Sequence, residues 1–399
     1  MLDLVSFIAF ITVLALLIYK DRKKAKFEGI LLIRRTKKGR NFIDRVEKKS
    51  PAFWNIISIL GIVVTIPFMV VISAYLINSG IQILLGKSEL AGAGLLLPGP
   101  ISTPMILPGT FIIPWWIWVI GVFSVMVPHE FSHGIMCRLE KIKIKSVGWL
   151  LFLFIPGAFV EPDEKKLSKA KKTTKLKVYA AGSFANFLVA IATMVLLYIV
   201  IVLSFQPSGL MIYEVAPGSP ANVTNLTGTI LAINGIAIDD YEDIRQLPDY
   251  EPGETIELEI TENNYQVPVI ALGGSNIIDW IVPDVIVVNI ANETKTYDIT
   301  LSEHPEGGRG YIGIESMVQT YSSSIDLDLY MAVSNLMIWI YVFNLGIGLF
   351  NLLPIKPLDG GLILETLLGK RKKAKAIVKA VSIIMLLVLV FNIIGPSLV

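Results

Sequence analysis

Residues 111–133 read Phe-Ile-Ile-Pro-Trp-Trp-Ile-Trp-Val-Ile-Gly-Val-Phe-Ser-Val-Met-Val-Pro-His-Glu-Phe-Ser-His, an apolar stretch that closes on His129-Glu130-Phe131-Ser132-His133. At 3.6 residues per turn, positions i and i+4 share a helix face. Both imidazoles can therefore hold one zinc ion while Glu130 stands beside the open coordination position. Ionisable groups inside a membrane helix are costly and persist mainly where they act. If the helix begins near Pro114, His129 lies 15 residues along, or about 22 Å at 1.5 Å per residue in a hydrocarbon core of about 30 Å. The metal would sit within the bilayer. Pro128, just before the motif, should kink the helix and free a carbonyl.

The rest of the chain agrees with a lipid setting. Of 399 residues, 53% are hydrophobic and 17% charged, and the mean hydropathy is +0.64. Runs free of charge and histidine occur at Leu4–Tyr19, Pro51–Gly86, Leu90–Pro128, Val178–Tyr213, Leu329–Ile355 and Ala380–Val399. Each can hold a helix of bilayer length, which predicts an α-helical polytopic membrane protein with about six transmembrane helices. The first run follows Asp3 and precedes a basic cluster, the reverse of a secretory leader, and reads as a retained anchor. Lysine and arginine concentrate in 20–49, 138–177 and 369–379, which together hold 30 of the 35. All three segments fall on one face if every run crosses once, and the positive-inside rule makes that face cytoplasmic. The protein is then a multi-pass cell-membrane protein with both termini extracytoplasmic. Residues 206–328 lie on the outer face with them and carry three basic residues against twenty acidic ones. The three N-x-[ST] sequons, at Asn222, Asn225 and Asn292, fall in this segment. A formal charge of +2 gives no reason to expect a nucleic-acid partner, and one cysteine, Cys137, excludes an intrachain disulfide framework or a cysteine-cluster metal site. The basic segments instead suit anionic lipid headgroups.

A catalytic zinc usually takes three protein ligands and a water. His304 is the sole remaining histidine and lies in the acidic segment. The run from Leu329 re-enters the membrane and ends in Asn351-Leu-Leu-Pro354-Ile-Lys-Pro357-Leu358-Asp359-Gly360-Gly361. About 20 helical residues reach the depth of the histidines, and the prolines then unwind the backbone, which makes Asp359 the candidate third ligand. Glu365, on a following short helix, is a poorer one. The other reading of Asp359 is a turn or N-cap residue.

Taken together these residues resemble the site-2 protease family of intramembrane zinc metalloproteases. The likeness rests on His129-Glu130-x-x-His133 and Asn351-x-x-Pro354-x-x-Pro357-Leu358-Asp359-Gly360, with Ala181-Gly182-x-x-x-Asn186 between them. It covers roughly 112–205 and 329–370. The resemblance implies hydrolysis of peptide bonds inside transmembrane substrates, with one zinc ion per chain on His129, His133 and Asp359. Glu130 would take a proton from the attacking water and deliver it to the leaving amine. By the same resemblance Asn186 and Asn351 hold the substrate backbone, helix-packing amides being the other reading. Gly157-Ala-Phe159-Val-Glu161 looks like the family's membrane-reentrant loop, in which Gly157 and Phe159 would position substrate.

The segment from Gly209 to Ile314 reads as short strands joined by Gly and Asn turns and looks like a PDZ domain. A substrate filter, with possible capture of a peptide or C-terminus, is its implied role; an insertion at Gly273–Thr300 would hold a hairpin around Val285–Ile299. The expected organisation is an anchor and basic segment at 1–50, a membrane core at 51–205, the PDZ-like extracytoplasmic domain at 206–328 and a second membrane segment at 329–399. The alternative function is a catalytically inactive membrane-protein binding or quality-control module. A metal transporter would need ligands on more helices.

Overall fold

The computed structural model describes the chain except residues 1, 22–25, 29–30, 37, 89–91, 103, 153–154, 270–283, 290–292, 370 and 399. Half of the stretch 273–300 expected to be an insertion, and the sequon at Asn292, lie outside the described residues. The chain forms two compact units, Met1–Thr193 with Trp339–Val399, and Met194–Ile338.

The first unit starts with α1 (Leu2–Asp21), β1 (Lys26–Glu28), β2 (Leu31–Thr36) and α2 (Lys38–Lys49), then α3 (Pro51–Leu84). Pro51 opens α3 where its missing N–H costs nothing. Next come β3 (Leu95–Gly99), β4 (Met105–Leu107), β5 (Thr110–Pro114) and α4 (Trp115–Leu139). The helix within the apolar run Leu90–Pro128 starts where expected, next to Pro114, and the described residues of the run before it are not helical. Residues 95–114 make a three-stranded sheet of order β3-β5-β4, and the helix begins only at Trp115. Five prolines between 98 and 114 forbid a helix there however apolar the run. α4 then continues unbroken across Pro128.

β6 (Ile144–Phe152), β7 (Ile155–Pro162), α5 (Glu164–Lys169) and α6 (Lys172–Ser204) follow. β6 and β7 pair antiparallel, so the apolar stretch 147–160 is a β-hairpin and Pro156-Gly157 lies within its second strand. β2 extends the hairpin, from Leu31 opposite Phe152 to Thr36 opposite Val147, giving a sheet of order β1-β2-β6-β7 with β7 at an edge. α2 braces it: Ile43 is fully buried among Ile135, Met136, Val147 and Val160.

The second unit takes the end of α6, then β8 (Phe205–Val215), α7 (Pro220–Val223), β9 (Thr229–Ile233), β10 (Ile236–Ala237), α8 (Tyr241–Arg245), β11 (Thr255–Thr261), β12 (Asn264–Val269), β13 (Asp284–Asn289), β14 (Thr294–Thr300), β15 (Ser302–Glu303), β16 (Gly310–Tyr311) and β17 (Ile314–Ser323). The main sheet runs β12-β13-β17-β8-β9-β11-β14. β11 buries Ile256, Leu258 and Ile260 and turns Thr255 and Glu257 outward, the period-two pattern of a half-buried strand. Asn234 and Gly235, both at positive φ, make the tight turn between β9 and β10. The hairpin expected around 285–299 does not form. β13 pairs with β12 and β17, and β14 pairs with β11, because alternation marks a strand without naming its neighbour.

The chain closes with α9 (Leu327–Asn351), α10 (Asp359–Leu368) and α11 (Lys372–Ile394). Among the described residues, four helical segments are long and apolar enough to cross a bilayer: Pro51–Leu84, Lys172–Ser204, Leu327–Asn351 and Lys372–Ser397. They leave residues such as Val63, Val70, Ile191, Val195, Ile383 and Leu387 exposed, a surface suited to lipid. In the first unit small residues let helices close on one another. Gly61 meets Phe184, and a side chain at Gly121 would overlap Phe343. Asn344 on α9 donates to Ser124 on α4 at 2.9 Å.

Candidate metal centre

α4 presents His129 and His133 one turn apart, with Nε2 atoms 3.2 Å from each other. Asp359 opens α10 and faces them: its Oδ2 is 3.5 Å from His129 Nε2 and 3.4 Å from His133 Nε2. Among the described residues these three form the group whose ligand atoms all lie within 4.8 Å of one another. The N-cap of α10 is Leu358, so Asp359 is not a capping residue.

The approach to Asp359 explains its sequence surroundings. α9 stops at Asn351, and residues 352–358 fold back beneath the first turn of α10, with a cis bond between Lys356 and Pro357. A Cβ at Gly360 would overlap the carbonyls of Leu352 and Leu353, and one at Gly361 the backbone of Ile355. The two glycines are thus what lets the turn close. Ser382 of α11 fastens it, donating to the Pro354 carbonyl and accepting from Lys356 N, both at 3.2 Å.

The donor set fits a metal ion on three observations. Asp359 Oδ2 is buried with no hydrogen-bond partner among the described residues, a costly state for a carboxylate oxygen unless a cation completes it. For bonds of about 2.05 Å, two ligand atoms of a tetrahedral ion stand about 3.3 Å apart, and the three separations of 3.2, 3.4 and 3.5 Å bracket that edge. Finally, Gly182 of α6 faces the histidines, and a Cβ there would overlap both Nε2 atoms. The helix carries no side chain where an ion needs room. Two imidazoles and a carboxylate suit zinc, with a position left open.

Polar groups around the three hold them in place. His133 Nδ1 lies 2.7 Å from the Val178 carbonyl, an acceptor that puts the ring proton on Nδ1 and leaves Nε2 free. Asn186 Nδ2 lies 3.1 Å from His129 Nδ1. Glu130 is not among the three; its Oε2 accepts from the Val160 N–H of β7 at 2.9 Å. Gly157 and Phe159 are on the same strand, where the Phe159 ring lies opposite Gly148 with Arg35 5.9 Å from its centre. Asn351 is half-buried at the end of α9 and makes no hydrogen bond to the histidines or to Asp359. His304 is bonded in its own loop, accepting from Glu306 N at 3.1 Å.

Sequence reasoning did not find the Val160 N–H, the Val178 carbonyl or the space at Gly182. Any residue but proline supplies the first and any residue the second; only the glycine carried a signal, within its Ala181-Gly182-x-x-x-Asn186 motif.

An uncharacterized protein of Methanocaldococcus jannaschii is 28% identical over 336 residues, which cover 84% of this chain and 76% of that protein. The family model described as Peptidase family M50 matches residues 117–392, a range that takes in both histidines, Glu130 and Asp359. By that match the chain belongs to peptidase family M50, the site-2 protease family.

Proposed function

We propose that this protein is an intramembrane zinc endopeptidase that cuts peptide bonds within transmembrane segments of other membrane proteins, as in regulated intramembrane proteolysis. The convergence of His129, His133 and Asp359 at tetrahedral spacing, with Glu130 alongside, carries the reading. His129, His133 and Asp359 would hold the zinc ion, whose chemistry would be to make water a nucleophile near neutral pH and to polarise a carbonyl. Glu130 acts as the base that takes the proton of the attacking water and then gives it to the leaving amide nitrogen. Its hydrogen bond to Val160 fixes one carboxylate oxygen and leaves the other for that proton.

The substrate must leave its helix, since a helical carbonyl is bonded and covered. Edge strand β7 offers it a partner. Val160 turns its N–H away from β6 toward Glu130, so by alternation Ala158, Pro156 and Pro162 present their main chain to the same side. Proline has no N–H and that of Val160 is taken, which leaves Ala158 with a free donor and acceptor for an incoming strand. Gly157 and Phe159, of opposite parity, shape the sheet face, and Asn351 would hold the substrate backbone.

With four apolar helices, α1 and α4 would complete six spans. The basic segments face the cytoplasm, and the β-rich unit and both termini face outward, where a PDZ-like domain would screen substrates or bind their exposed ends. The test is cleavage of a transmembrane substrate in liposomes by wild type and Glu130→Gln. Wild type should cleave, and the variant should be slower by about 10²–10⁴-fold. Equal activity would overturn the mechanism, and inactivity of both would favour a binding module.

A further inference from the structure

We propose that Asn186 is a positioning residue of the metal centre: its amide oxygen takes the Nδ1 proton of His129 and thereby fixes the tautomer whose Nε2 can bind metal. The inference rests on the metal-centre reading above and deepens it.

Asn186 is fully buried on α6. Its amide touches His129 at Nδ1, the nitrogen turned away from the cluster, while His129 Nε2 is the atom that faces His133 and Asp359. An imidazole that binds metal through Nε2 is neutral and keeps its proton on Nδ1. Nδ1–H is then a donor and requires an acceptor. An amide nitrogen opposite it would set donor against donor, so the side-chain amide presents Oδ1 there, next to the Gly182 main chain that His129 also bonds. The two ends of an amide exchange by a half-turn about one bond. That turn breaks nothing at the far end, because Asn186 Oδ1 is buried with no partner among the described residues.

His133 supports the assignment by meeting the same requirement differently. Its Nδ1 lies 2.7 Å from the Val178 carbonyl, an acceptor that main chain alone supplies. Both acceptors, Val178 and Asn186, come from α6, the helix whose Gly182 leaves space at the two Nε2 atoms. α6 thus sets the tautomer of each imidazole and clears the position between them. A residue that merely packed helices would serve as well with any side chain of its volume; one that accepts from Nδ1–H would not.

The experiment measures zinc affinity of the full-length protein in detergent by competition with a chelator of known affinity, with no substrate present. The variants are Asn186→Leu, Asn186→Ala and Asn186→Asp. Loss of a second-layer acceptor typically weakens metal binding 10–100-fold, and that loss is expected for Leu and Ala. Asp, which keeps an acceptor oxygen, should bind within a few-fold of wild type. If Leu and Ala bind zinc as wild type does, the proposal is overturned, and a fall in cleavage alone would then assign Asn186 to the substrate. Wild type that takes up no zinc would instead overturn the metal centre itself.

Discussion

Replacing Gly182 with alanine tests the space in the metal centre with a single methyl group. In the middle of α6, alanine is otherwise the better residue: it stabilises a helix by about 1 kcal/mol over glycine. Here the added Cβ would overlap His129 Nε2, His129 Cε1 and His133 Nε2, far inside ordinary van der Waals contact. The atoms it meets are the free ends of side chains, so the rings can swing aside by about 1 Å and the fold survives. The ligand spacing does not. A displacement of about 1 Å at reacting groups costs on the order of 100-fold in rate, and the methyl also fills part of the volume an ion requires. Gly182→Ala should therefore hold or raise the thermal midpoint while zinc affinity and kcat/KM each fall about 100-fold, as read by chelator competition, thermal melting and cleavage on one preparation. A more stable variant that keeps wild-type zinc affinity would refute the reasoning, because it would mean that no ion sits between the two Nε2 atoms.

Ala158→Pro removes one outward N–H of β7 without touching the pairing to β6, so zinc content should stay at wild type while cleavage falls about 10-fold, the worth of about one hydrogen bond; unchanged cleavage would mean that the substrate does not pair with this edge. At Glu140, just past α4, burial raises the carboxyl, but bonds from Lys177 at 2.7 Å and Thr174 at 2.6 Å, with the charges of Lys177 and Lys171, outweigh it and hold it below the usual carboxylate range. A depressed carboxyl stabilises the fold above its unfolded pKa and loses that contribution as pH falls through the folded value. Melting followed from about pH 6 to 3 should show a steeper decline for wild type than for Glu140→Gln, and parallel curves would contradict the assignment.

How much of this was legible in the sequence depends on the range of each signal. His129, Glu130 and His133 could be read because i and i+4 on a helix are neighbours by local geometry. Asp359 could be read because Pro354, Pro357 and the two glycines announce a break in an apolar helix, although the reason for Gly360 and Gly361, the backbone beneath them, needed the structure. The sheet that carries Val160 was not legible: β2 is six residues, three aliphatic followed by two arginines and a threonine, and it pairs with β6 more than a hundred residues away. The strands at 95–114 were not legible, because apolar content says that a segment is buried or in lipid and says nothing of helix against strand; the prolines marked only where the helix could not extend. In the second unit the period of two showed strands such as β11, but the separation of β13 and β14 depends on pairing energies that no short stretch encodes.

The most direct measurement is zinc per chain and substrate cleavage, determined side by side for wild type, Glu130→Gln and Asp359→Asn. The account predicts about one zinc and activity in wild type, about one zinc without activity in Glu130→Gln, and weakened zinc binding in Asp359→Asn. Full zinc retention and full activity in Asp359→Asn would contradict it.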